Sequence, residues 1–160
     1  MSLNEFSGVL WRERQLLELL LFKLEEEQLI LTSGKTQWLG HATREVESVL
    51  EQIRGAELGR AVEADAAARE VGVPEGSNLL VIAAHAPAPW RELLTEHHRA
   101  FIELTEQVNE LAEGNRELLS TSSRAAQETL MSLAESVQTY DDRGVTTAAA
   151  SGASLLDRAL

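Results

Sequence analysis

Apolar residues recur every three or four positions along most of this 160-residue chain. That spacing returns side chains to one face of an α-helix at each turn. The first segment, from about Ser2 to Ser33, carries Leu3, Phe6, Leu10, Glu13, Leu17, Leu20, Leu24, Glu27 and Leu31 in this rhythm. All but the two glutamates make a helical seam with heptad spacing. Val9, Leu16, Leu19, Leu21, Phe22, Leu29 and Ile30 widen the apolar face, which implies contact with more than one neighbouring helix. Gly34 closes the segment, since glycine readily takes the left-handed conformation that ends a helix.

A second helix is expected from near Thr36, a candidate N-cap, to about Val71, with Leu39, Ala42, Val46, Val49, Ile53 and Ala56 as its seam and Trp38 beside it. Its alanine-rich later half holds Gly55 and Gly59, which weaken a helix by about 1 kcal/mol each against alanine and permit close helix approach. "GVPEGSN" breaks the pattern. Ser77 is a candidate cap for a short helix over "NLLVIAAHA", which "APAP" then ends. The last long helix is expected from about Trp90 to Tyr140. Its stripe runs Trp90, Leu94, His97, Phe101, Leu104, Val108, Leu111, Asn115 and Leu118, then Ser122, Ala126, Leu130, Leu133, Val137 and Tyr140. Between Asn115 and Ala126 the stripe is polar or small, which weakens packing and marks a place where the helix can bend or part from the bundle. Residues 141–160, rich in Gly, Ala, Ser and Thr, bury too little to offset ordering and are expected to be a mobile tail.

The expected fold is therefore all-α: an elongated antiparallel bundle of three long helices plus one short helix over residues 1–140, with a flexible C-terminal tail over 141–160. Short connections favour antiparallel neighbours.

A net charge of −12 argues against nucleic acid and against anionic membranes, because no Lys/Arg cluster is present to neutralise phosphate. With no cysteine there are neither disulfides nor thiolate metal sites. No signal-peptide pattern opens the chain and no apolar run reaches the ~18 residues of a membrane span, so the cytoplasm is the expected location and no membrane insertion is expected.

The residues that could carry chemistry do not assemble into a known pattern. His97 and His98 follow Glu96, but adjacent helical residues diverge by about 100°, whereas a zinc protease needs histidines at i and i+4. Glu-x-x-His, as used by di-iron bundles, is absent there, since positions 94 and 95 are Leu and Thr. His97 reads as a seam residue and His98 as a solvated one. Glu25 and Glu26 read as solvated, while Glu27 falls on the seam, either paired with an arginine such as Arg44 or Arg116 or marking loose packing. The expectation is a binding protein rather than an enzyme, with no catalytic residue, cofactor or metal. Long apolar stripes hold a partner helix as readily as the protein's own.

Several blocks, in order and spacing, resemble the FlgN-type flagellar export chaperones in their high-GC Gram-positive form. They are "LLLFKLEEEQLILTSGKTQWLGHATREVESVLEQIR", "NELAEGNRELL" with Asn109 and Asn115, and "TYDDRG" followed by "LLDRAL". The resemblance implies a cytoplasmic chaperone that binds the terminal helices of hook–filament junction proteins, keeps them soluble and delivers them to the export gate. It implies client binding by the C-terminal part, where Leu118, Leu130, Leu133 and Val137 are the matching stripe, and gate docking by Tyr140, the only tyrosine. Two other readings compete. Trp38-Leu39-Gly40 between two helices is the mark of WXG-type secreted hairpins. Such a protein is a two-helix hairpin, whereas here a third long helix follows. A self-associating coiled-coil scaffold would account for the heptad spacing alone.

Overall fold

The computed structural model describes residues 1–142, with side chains described through residue 138. It is all-α: α1 (Ser2–Ser33), a short 3-10 turn (Thr36–Trp38), α2 (Leu39–Val71), α3 (Leu79–His85) and α4 (Trp90–Asp142). The chain divides into two compact units, Met1–Asn115 and a second beginning at Arg116. Residues 143–160, most of the expected tail, lie outside the described residues.

The helix ends follow local chemistry. Gly34 at φ 73° and Gly72 at φ 82° take the left-handed conformation that closes α1 and α2. At the start of α1 the Leu3 N–H donates to Glu70 Oε2 of α2 at 3.0 Å, so a carboxylate sits where the helix dipole favours one. The short helix is capped by Asn78, not Ser77: Asn78 Oδ1 accepts from the Val81 N–H at 3.0 Å. The Thr36 expectation also shifts, because residues 36–38 form the 3-10 turn and α2 starts at Leu39. Trp38 is exposed, its ring tilted against His41.

The first unit has two apolar clusters. One gathers Leu3, Phe6 and Leu10 of α1, Ala67 and Ala68 of α2, Leu79, Ile82 and Ala83 of α3, and Leu94 of α4. Fully burying side chains such as Phe6 or Leu10 contributes roughly 1.5–3 kcal/mol each. The other is built on Leu20, Leu24 and Val49, with Val46, Leu50, Ile53, Val108, Leu111 and Ala112 packed against it. The seam of α1 is buried except at Leu17 and Leu31, and Leu16 is buried in addition. Leu19, Phe22 and Leu29, expected to face further neighbours, are exposed. Gly55 and Gly59 do not serve close approach among the described residues: a Cβ at either would meet nothing there within 4 Å.

Along α1, polar contacts separate these clusters. Glu13, buried, accepts from Arg60 of α2 at 3.2 Å, and the Arg60 guanidinium lies over the Phe101 ring. Burial still holds the Glu13 carboxyl above the usual range, against the lowering effect of Arg60. His97 of α4 is fully buried, 3.3 Å from both Ser7 Oγ and Arg14 Nη1, with the Trp11 ring edge-on at 4.9 Å.

Burial, with the Arg14 charge second, lowers the His97 pKa to about 4. The ring is therefore neutral in the folded state over a window where the unfolded chain is protonated. Its contribution is complete above about pH 6.5 and is lost as pH falls toward about 4, on the order of 3 kcal/mol at most. Glu13, with a raised pKa, acts in the opposite direction, so the comparison between variants matters more than the total. Urea titrations at pH 7 and pH 4 should show wild type losing more stability to acid than His97→Leu. Equal losses would place the acid sensitivity elsewhere.

Candidate partner-binding surface

Beyond Asn115, α4 continues to Asp142. At about 100° per residue, Leu118, Leu119, Ser122, Ala126, Thr129, Leu130, Leu133, Ser136 and Val137 fall within one face about 120° wide. No charged residue lies in it. Glu117, Arg124, Glu128 and Glu135 fall together on the opposite side, and Arg116 lies just outside the face. An uncharged face backed by charges is the pattern of a helix that packs on one side.

The sequence-derived stripe is thus one surface. Leu133 is 52% exposed, while Leu118, Leu130 and Val137 are half-buried. Between the leucines, Ser122 and Ala126 are exposed and small, leaving a shallow step where a partner's backbone or a larger side chain can approach. The Thr129 hydroxyl donates to the Ala125 carbonyl at 2.9 Å, so its polar atom is engaged within the helix. Leu119 belongs to the same face and was missed by stepping from Leu118 to Ser122; it stands seven residues before Ala126, which would have found it. Met131, 65% exposed, lies off the face. Tyr140 is within the last turns of α4, and its side chain lies outside those described.

The first unit ends in a different environment. Asn115 is 2% exposed and Glu27 6%. Asn115 Nδ2 donates to the Leu24 carbonyl at 2.9 Å and to Glu27 Oε1 at 3.2 Å, while Glu27 Oε2 accepts from Thr43 Oγ1 at 3.3 Å. Glu27 therefore pairs with an amide and a hydroxyl, not with Arg44 or Arg116, and the layer is bonded rather than loose. Asn115 is therefore firmly bonded and does not belong to the weakly packed stretch expected from the sequence. Its partners lie 88 and 91 residues away in sequence, beyond any local pattern.

Among the described residues, no group of His, Asp and Glu could hold a metal ion, and no helix is long and apolar enough to cross a membrane. His98 is half-buried and not part of the His97 contacts.

Leu130→Asp and Leu133→Asp should lower the melting stability of the free protein by less than about 1 kcal/mol each, the scale of helix propensity and partial burial. Leu24→Asp, in the second cluster, should cost several-fold more, since it buries a charge without a partner. Thermal melts by circular dichroism compare them directly. Equal losses would mean that the outer leucines belong to the protein's own core.

A protein-family model described as FlgN protein matches residues 1–148. Comparison with curated proteins and with solved structures gives no match.

Proposed function

The chain belongs to the FlgN family, a family of flagellar export chaperones rather than of enzymes, and from that premise we propose that it escorts hook–filament junction proteins in the cytoplasm. The client would be held by its terminal helices on the uncharged outer face of α4, through Leu118, Leu130, Leu133 and Val137, with Leu119 beside them. The observation that carries this reading is the segregation of charge from that face together with the 52% exposure of Leu133.

The mechanism follows from the chemistry of such clients. A helix destined to pair in a filament is apolar on one side, and in isolation that side drives aggregation. A face with leucines at three-four spacing accepts it by helix-to-helix packing. No bond is made or broken, so release needs only a competitor or a change of partner. Family membership also sets aside the WXG hairpin. The aromatic Trp38 belongs to the 3-10 turn that joins α1 and α2, and Gly40 lies within α2.

Mixing the chain with a junction subunit should give a complex that is lost when the subunit's terminal helices are deleted. Leu130→Asp with Leu133→Asp should weaken it roughly tenfold or more, as loss of central apolar anchors does at interfaces. A complex that survives deletion of the client helices would refute the helix-lending mechanism.

Tyr140, in the proposed gate-docking role, acts after capture. Tyr140→Ala should leave client affinity nearly unchanged and reduce binding to the export gate several-fold, read by pull-down with each partner separately. Lost client binding with intact gate binding would put Tyr140 in the client groove.

A further inference from the structure

A second exposed face lies on α1, within the first unit. Trp11 is 48% exposed, Phe22 56% and Leu29 69%. Their spacings of eleven and seven residues bring them to one line along the helix, within about 20°. Trp11 rests one edge on the buried His97, but Phe22 and Leu29 are not explained by the protein's own core, which the opposite side of α1 supplies through Leu3, Phe6, Leu10, Leu20 and Leu24. Large aromatic side chains are the usual anchors of protein interfaces.

Carboxylates stand along both sides of this line, while the two nearest cations, Arg14 and Lys23, lie over the Trp11 and Phe22 rings. Glu18 and Glu25 flank it on one side and Glu26 on the other, with Gln15 between the anchors. Glu26 is engaged with Lys23 and Glu45, whereas Glu18 and Glu25 are exposed. Beyond Glu25 the surface dips into a groove of about 400 Å³ between α1 and α4, lined by Leu21 and Leu111 together with Glu25 and Glu110. Carboxylates therefore border both the apolar line and the groove beside it. The basic neighbours are already occupied: the Arg14 guanidinium stacks over Trp11 and touches His97, and Lys23 pairs with Glu45 at 3.0 Å.

We propose that this face of α1 docks an amphipathic helix of a partner protein whose apolar stripe is flanked by Lys or Arg. The apolar stripe would cover Phe22 and Leu29, with Trp11 at one end, and the cations would meet Glu18 and Glu25. This face is made by residues of α1, none of which belongs to the stripe that α4 carries past Asn115. Charge complementarity selects the occupant: an acidic amphipathic helix would set like charges against Glu18 and Glu25, which disfavours it without any change in apolar contact.

The probes are two designed amphipathic helical peptides of identical leucine pattern, one flanked by lysines and one by glutamates. Fluorescence anisotropy with the full chain should show saturable binding of the lysine peptide, weakened by salt. Phe22→Ser with Leu29→Ser should reduce its affinity roughly tenfold or more. Glu18→Lys with Glu25→Lys should reverse the preference to the glutamate peptide. That variant chain remains strongly acidic overall, so attraction by net charge alone would keep it selecting the lysine peptide. Circular dichroism checks that each variant retains its helicity; all four positions are exposed, so it should. Absence of saturable binding, retention of the lysine preference after charge reversal, or indifference to the Phe22 and Leu29 changes would each overturn the proposal. Sedimentation that showed self-association dependent on Phe22 and Leu29 would also overturn it, by assigning the face to a second copy of the chain.

Discussion

The side-chain amide of Asn115 ties three helices together at one level. It donates to the Leu24 carbonyl and to Glu27 of α1, and Glu27 accepts in turn from Thr43 of α2. Breaking one partner of such a buried bond costs about 1–3 kcal/mol, because the group left behind cannot return to water. The layer does more than add stability. An apolar helix can rotate or slide against another with little penalty, whereas a buried amide has to meet its acceptors. Asn115 thereby fixes which side of α4 meets the second apolar cluster, the side that carries Val108, Leu111 and Ala112. His97 does the same nearer the start of α4, against Ser7 and Arg14.

These polar contacts divide the apolar surface of the protein into what it uses and what it offers. Inside the first unit, leucines and alanines of all four helices are consumed by two clusters. Past Asn115 the same three-four rhythm continues along α4, but Leu133 is exposed and the face is free of charge. On α1 the exposed line of Trp11, Phe22 and Leu29 has carboxylates along its borders. An uncharged face selects partners by shape and apolar spacing, while an acid-bordered one adds a sign preference. A chaperone that must hold one protein and meet another has use for surfaces that differ in this way.

Much of the architecture was legible because helices announce themselves locally. The apolar rhythm gave α1 and the end of α2 to the residue, and Gly34 closes α1 as its freedom at positive φ suggests. What escaped was decided by atoms far apart in the chain or by choices between neighbours. Ser77 and Asn78 are both good caps, and only the geometry of the Val81 N–H chooses Asn78. Glu27 was recognisable as a seam residue, but a pairing with Asn115 across 88 residues leaves no local trace. The width of the apolar face of α1 was visible, yet periodicity does not distinguish a covered leucine from an exposed one, and Leu19, Phe22 and Leu29 are exposed. The outer stripe of α4 was found by the same rhythm, and its separation from charge is what the helical projection adds.

Amide hydrogen exchange, compared between the free chain and its mixture with a hook–filament junction subunit, tests the central claim most directly. Exchange reports local opening residue by residue, so it locates the partner without altering the surface. The account expects new protection concentrated in residues 118–137, with α1 and α2 essentially unchanged. Protection gained along α1 and α2, with residues 118–137 exchanging as they do in the free chain, would contradict it.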